Sequence, residues 1–335
     1  MRGVRAAGSG GRAAAGTADA KVHGGGRDAC TVPSMTQSER EILVTGATGA
    51  QGGAVVRHLL QRGYRVRALC RDPQKPAAKA LSEAGVRVLQ GDFDDAASLA
   101  EATRGVYGVF GVQNFWDGFP GPCIGLEHEV RQGKALLDAA KAADVRHFVQ
   151  ASAGGAAATP CIPSTESKRR IELHAKAIGI PWTFVRSVFF MDNLVHPAWG
   201  FMQPILEGRL ELSLAPETRL QVIAVDDIGH FVGMAFDRPR EFVGSAFDLA
   251  GDELSMLEMA AVFSRVMGKE IRFTGSLAGL ERVKAFSEEL ASVFRWAHEV
   301  GFGAFIPGLR ALHPGLSTLE AFLRRAGWEG RGGRA

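Results

Sequence analysis

From residue 41 the chain alternates short β-branched or apolar runs with longer amphipathic stretches. The runs "EILVTG" (41–46), "RVRALC" (65–70), "VRVLQG" (86–91), "VYGVFGV" (106–112), "RHFVQAS" (146–152) and "PWTFVRS" (181–187) read as six strands. Between them, apolar residues recur at helical spacing: Ala54, Val55 and Leu59, then Leu99 and Ala102, then Val130, Leu136, Leu137 and Ala140. Such alternation implies parallel pairing through right-handed crossovers, with helices on both faces. The predicted fold is α/β, a Rossmann-type doubly wound parallel sheet. Pro181 is tolerated because the first residue of a strand can lack a ladder donor.

After residue 188 the pattern becomes irregular. "MDNLVHPAWGFMQPILEG", "LQVIAVDDIGHFVGMAF", "LSMLEMAAVFSRVMG" and "STLEAFLRRAGW" read as mainly helical, with short strands near 220–224 and 243–249. In a doubly wound fold such material covers the carboxyl edge of the sheet and forms the substrate side of the cleft. The expected organisation is a leader over 1–38, a nucleotide-binding domain over 39–188, and a smaller substrate or partner lobe over 189–330. The sheet remains free to recruit later segments.

Composition refines this picture at the amino end. The first 34 residues hold eight glycines and eight alanines with almost no large apolar side chain. They cannot bury enough surface to offset the ordering entropy, so the leader is expected to be disordered and without a targeting role. Met35 offers an alternative start of translation. Residues 1–40 carry six basic and three acidic groups, and subtracting these from 39 and 36 leaves 33 of each beyond them. A balanced folded part argues against a nucleic-acid surface. Cys30, Cys70, Cys123 and Cys161 stand far apart with no CxxC, which suits reduced thiols in a cytoplasmic protein and no metal site. No apolar run is long enough to span a bilayer.

"TGATGAQGG" follows the first strand and opens a helix, with Gly46, Gly49 and Gly52 spaced G-x-x-G-x-x-G. Glycine permits the tight turn and lets backbone approach a diphosphate, which then rests on the amides of the helix start. Thr48 and Gln51 are placed to add hydrogen bonds. At the end of the second strand an NAD-preferring site would carry a carboxylate for the ribose hydroxyl. Here "ALCRDPQK" places Arg71 first and Lys75 close behind, while Asp72 reads as the cap of the next helix. A guanidinium suits a 2′-phosphate, so NADP(H) is preferred over NAD(H). "QGDFDD" ends the third strand, with Asp92 and Phe93 framing an adenine and Asp94 or Asp95 capping a helix. "FGVQNFW" ends the fourth, with Gly111, Val112 and Gln113 alongside the cofactor and Asn114, Phe115 and Trp116 on the cleft rim. "VFFMDNL" after the sixth brings Val188, Phe189 and Phe190 to the cleft, with Asn193 within reach of substrate. Packing alone would equally account for these aromatic residues.

Together, "TGATGAQGG", "CRDPQKPAAKAL", "QGDFDD", "VQNFW", "EHEVRQGKALLDAA", "IPWTFVRSVFFMDNL" and "HPGLSTLEAF" resemble the NmrA-like family of atypical short-chain dehydrogenase relatives. The resemblance covers residues 41–328 and is nearest to the family's HSCARG-type NADPH-sensing branch. In ordinary members of the wider superfamily a tyrosine phenol exchanges a proton with the substrate oxygen. A lysine four residues on lowers the phenol's pKa from about 10. The resemblance assigns that lysine to Lys168 and the substrate-steadying serine to Ser152. The tyrosine's place is taken by Ser164, a far weaker and shorter acid. Tyr64 and Tyr107, the two tyrosines of the chain, are not placed to substitute.

Two roles survive. By resemblance, the chain is a redox sensor or regulator that signals to a protein partner through cofactor-dependent conformational change. Alternatively it is an NADPH-dependent reductase of quinone-like or conjugated small molecules that need little acid assistance, with water or His174 supplying the proton. The absent phenol inclines the reading to the first. Hydrolysis is excluded for want of G-x-S-x-G. Asp226 and Asp227 read as caps of a helix beginning at Ile228.

Overall fold

The computed structural model describes residues 36–117, 123–156 and 162–331. The leader up to residue 35, Cys30, Met35 and Cys161 lie outside the described residues. The six expected strands form as β1 (Glu41–Val44), β2 (Arg65–Cys70), β3 (Arg87–Gln90), β4 (Gly108–Gly111), β5 (His147–Ala153) and β6 (Trp182–Ser187). All pair in parallel. A seventh strand, Ser245–Leu249, pairs in parallel with β6. The order across the sheet is therefore Ser245–Leu249, β6, β5, β4, β1, β2, β3. Recruiting this late segment covers the edge that β6 would otherwise leave bare.

Buried strands present alternate residues to opposite faces. Ile42 and Val44 join one core, which α1 (Ala50–Gln61) closes with Ala54, Val55 and Leu59. Helix Val225–Asp237 packs there too, through Ile228, Phe231 and Val232. Its Gly229 allows the contact, since an added Cβ would lie 2.8 Å from the Ala54 carbonyl oxygen. Leu43, Val109, Phe148 and Phe184 face the second core. There they meet α3 (Ala96–Thr103), α4 (Leu126–Ala142) and α5 (Pro163–Ala177) through Leu99, Leu136, Leu137 and Ile171. Helix α2 (Pro76–Glu83) completes the alternation.

Beyond β6 a third core contains Leu194, Leu212, Val222, Met259, Phe263, Phe294 and Leu323. It is carried by short helices and a three-stranded sheet of Phe189–Phe190, Arg219–Ile223 and Asp252–Ser255. Among the described residues no helix is long and apolar enough to cross a membrane.

Three capping expectations resolve differently. Asp95 caps α3 by accepting from the Ala97 amide. Asp72 instead accepts from the Gln74 amide, and α2 begins later with Lys75 at its N-cap. Asp226 and Asp227 are not caps, because their helix starts at Val225 and places both inside its first turn. Asp192 supplies the cap, its Oδ2 accepting from Val225 N at 2.9 Å. Asp226 is thereby free to pair with Arg57 and His58, and Asp227 with the Ser317 amide and His313.

Candidate functional site

A cavity of about 700 Å³ opens at the carboxyl ends of the strands, where β1 and β4 are neighbours and the order of connection reverses. The glycine loop forms one wall. Gly46 has φ +60°, in the left-handed region, and Gly52 sits so close that an added Cβ would be 2.2 Å from the Gly46 carbonyl oxygen. Gly49 is the N-cap of α1 and offers no side-chain acceptor, so the first-turn amides await another partner. Gln51 Nε2 is buried there without a hydrogen bond. Thr45, which the sequence reading did not single out, ties the loop to β4. Its hydroxyl receives the Val112 amide at 2.8 Å. An orphaned amide beside bare helix-start amides and a cradle that a Cβ would fill is the donor set a diphosphate needs.

At one end of the cavity lie Arg71, Asp92 and Phe93. Arg71 is exposed, and its Nη1 is held 3.1 Å from Asp117 Oδ2. Lys75 does not line the cavity. Gly111 does not either, being pressed within β4 against Phe148 and Gln150. Val112, Gln113 and Asn114 do, and the Asn114 side chain shapes the turn by accepting from the Trp116 amide.

In the middle are Ser152, Ser164 and Lys168. Lys168 Nζ donates to the Gln113 carbonyl at 2.9 Å and to Glu129 Oε1 at 2.6 Å. Glu129 is fully buried and also accepts from the Ser167 hydroxyl. Ser152 donates its hydroxyl hydrogen to Glu172 Oε1 at 2.7 Å, while Arg186 clamps the same carboxylate through two nitrogens. A serine donating to a buried carboxylate has no hydrogen left for a substrate oxygen. Ser164 stands at the start of α5, and Glu289 of helix Glu288–Glu299 accepts from its amide at 2.8 Å, with the Ser164 hydroxyl close to the same carboxylate. Burial pushes the Glu289 carboxyl above its ordinary range, the Ser164 bonds oppose this, and the nearby Glu129 charge adds to it.

The far end is aromatic. Trp116 and Trp199 meet edge to face at 5.8 Å, Phe189 and Phe201 at 6.2 Å, and Trp296 and Phe302 at 4.9 Å. All line the cavity, with Phe190 and Asn193 beside them. Trp199, Phe201, Trp296 and Phe302 escaped the sequence reading because apolar residues in irregular stretches give no signal of which wall they form. His174 lies on the outer face of α5, paired with Asp138 at 2.6 Å, and does not line the cavity. Tyr64 donates to Asp237 and Tyr107 stacks under Arg40, both away from Lys168. Among the described residues no group of His, Cys, Asp and Glu is placed to hold a metal.

Comparison with known proteins agrees with this architecture. The chain is 31% identical over 233 residues to the NAD(P)H azoreductase of Xenophilus azovorans, covering 69% of this chain and 76% of that protein. Its fold superposes on the Citrobacter triphenylmethane reductase complexed with NADP(H), with a TM-score of 0.72 at 21% identity, over 85% of this chain and 99% of that one. It likewise resembles NmrA, a negative transcriptional regulator, in complex with NADP, with a TM-score of 0.68 at 19% identity over 86% and 95% of the two chains. The model of the NmrA-like family matches residues 38–323, and the chain belongs to that family.

Proposed function

We propose that this chain is an NAD(P)H-dependent reductase of planar, conjugated small molecules, with NADP(H) the preferred dinucleotide. The observation that carries the reading is one continuous cavity running from the glycine loop past Lys168 to an aromatic end. Along that end, the described lining residues from Phe189 to Phe302 include no charged side chain. An aromatic wall with no charge among its described residues suits a flat, uncharged acceptor.

Gly46, Gly49, Gly52 and Gln51 would hold the diphosphate, Arg71 the 2′-phosphate, and Asp92 and Phe93 the adenine. Lys168 uses two of its three ammonium hydrogens on Gln113 and Glu129, leaving one for a ribose hydroxyl. When bound, the dinucleotide supplies hydride. The chain's own contribution is to orient the acceptor between the aromatic walls and exclude water from it. With Ser152 committed to Glu172 and no phenol at residue 164, unactivated ketones are poor substrates, while quinones and conjugated dyes accept hydride with little help. The relative named as an NAD(P)H azoreductase points the same way.

The sensing role suggested by the HSCARG-type resemblance has one observation in its favour. A 2′-phosphate at Arg71 must displace Asp117, so binding changes contacts on the loop that follows β4. That exchange reports ribose phosphorylation, however, and not the oxidation state of the nicotinamide. The discriminating experiment is titration with NADP⁺, NADPH, NAD⁺ and NADH, followed by NADPH oxidation with a panel of quinones and dyes. Tight binding with no turnover on any acceptor would reject the reductase and leave the regulator.

A further inference from the structure

The place of the absent phenol is occupied by a contact that joins two distant parts of the chain. Ser164 lines the cavity at the first turn of α5. Glu289 reaches it from the helix Glu288–Glu299, where Oε1 accepts from the Ser164 amide at 2.8 Å and the carboxyl lies close enough to the Ser164 hydroxyl for the two to interact. Leu290 and Val293, one and four residues further along that helix, line the same cavity. The carboxyl is therefore separated from the acceptor side of the cavity by one hydroxyl group. Among the charged groups around it, Glu129 on α4 is paired with Lys168 on α5, and Lys284 lies 3.8 Å from Glu288. The Cys123 thiol faces Glu289 from the segment before α4 and is held above its ordinary range by burial and by that carboxylate. No cation among the described residues is paired with Glu289, whereas Glu129 has Lys168 at 2.6 Å.

We infer that Glu289, acting through the Ser164 hydroxyl, delivers to the bound acceptor the proton that accompanies its hydride. The inference deepens the reductase reading and rests on it. The acceptor gains two electrons and one hydrogen as hydride from the dinucleotide. Its heteroatom then takes the hydrogen of the Ser164 O–H bond, that bond re-forms with the hydrogen of the Glu289 carboxyl, and the carboxylate regains a proton from solvent. A serine hydroxyl is a poor acid alone, but it serves as a relay when its own proton is replaced as it leaves. Burial raises the Glu289 carboxyl above its ordinary value, which favours the protonated form the relay draws on.

Two variants of the full chain test this. Glu289→Gln retains an oxygen for the Ser164 amide and removes the acid. Ser164→Ala retains that amide and removes the hydroxyl. With NADPH and the quinone menadione, wild-type kcat is expected to fall as pH rises through the Glu289 titration. Both variants should lose that pH dependence and fall roughly tenfold or more in kcat, with NADPH affinity within about twofold of wild type. Independently of turnover, infrared titration of the ligand-free chain carrying ¹³C-glutamate should show a carboxyl titrating above the ordinary glutamate range, absent in Glu289→Gln. Variants that keep the wild-type kcat and pH profile, or a carboxyl titrating in the ordinary range, would overturn the relay and leave the reductase standing. A wild-type chain that fails to oxidise NADPH with any of the quinones and dyes would instead remove the reductase reading, and the relay with it.

Discussion

Lys168 Nζ lies 2.6 Å from Glu129 Oε1, and Glu129 has no solvent exposure. The lysine is thus half of a buried ion pair before it is anything else. Removing one partner leaves an uncompensated buried charge. Lys168→Met is expected to lower unfolding stability by about 3–5 kcal/mol, and adding Glu129→Gln to recover much of the loss. Urea titration of the single and double variants measures both. Equal stability of Lys168→Met and wild type would mean that the pair is not formed in solution. Loss of activity on removing Lys168 alone therefore cannot be assigned to chemistry without this control.

The glycine loop gives the sharpest steric expectation. Gly52→Ala places a Cβ 2.2 Å from the backbone oxygen of Gly46, itself fixed by a positive φ and by Val112. Backbone must move, which costs about 1–3 kcal/mol and disrupts the diphosphate cradle. Calorimetry with NADPH should detect no binding, while circular dichroism still reports a folded chain. Unimpaired binding would place the dinucleotide elsewhere.

Arg71 governs coenzyme choice. Arg71→Ala should weaken NADPH by roughly tenfold to a hundredfold, the worth of a charge-assisted contact, and leave NADH nearly unchanged. Asp117→Asn should strengthen NADPH, by no more than about fivefold because the Arg71–Asp117 pair is exposed. Equal losses for both coenzymes in Arg71→Ala would mean that the arginine does not touch the phosphate.

Two histidines set an acid limit to stability. Thr183 donates its hydroxyl to the Phe242 carbonyl, so His147 must donate to Thr183 from Nε2, leaving Nδ1 buried, unprotonated and unpartnered. Burial lowers His147 to about 4. Burial, with electrostatic repulsion from His313, Arg62 and His58, lowers His230 to about 4. Between about pH 4 and about pH 6.5 the unfolded chain therefore binds more protons than the folded one. Their contribution is complete above that window and is lost as pH falls through it. The urea midpoint should drop between about pH 7 and about pH 4.5, and less steeply in His147→Gln. An unchanged slope in that variant would mean that His147 is not held neutral.

The strands and the glycine loop were legible because their signals are local: a period of two, a period near 3.6, and glycines at a strand-to-helix turn. Ser164 in a tyrosine's place was equally plain. What occupies the carboxylates was not. Glu129, Glu172 and Glu289 meet their partners across 39, 20 and 125 positions, and no local pattern around any of them marks that partner. Ser152 was assigned by resemblance, and it lies near the end of β5 on the cavity wall. Its hydrogen is claimed by a glutamate that only the packing of α5 against β5 and β6 brings near. Recruitment of Ser245–Leu249 to the main sheet was left open for the same reason, since its pairing partner lies 62 residues earlier, at Thr183.

That last strand has a consequence for biosynthesis. While the ribosome is still adding the segment between β6 and Ser245, the nascent nucleotide-binding half carries an open, apolar edge at Phe184 and Val185. An edge of that kind invites pairing with a neighbouring chain on the polysome. Expression truncated near residue 188 should accordingly yield inclusion bodies, whereas chains extended past Leu249 carry their own edge guard and emerge shielded.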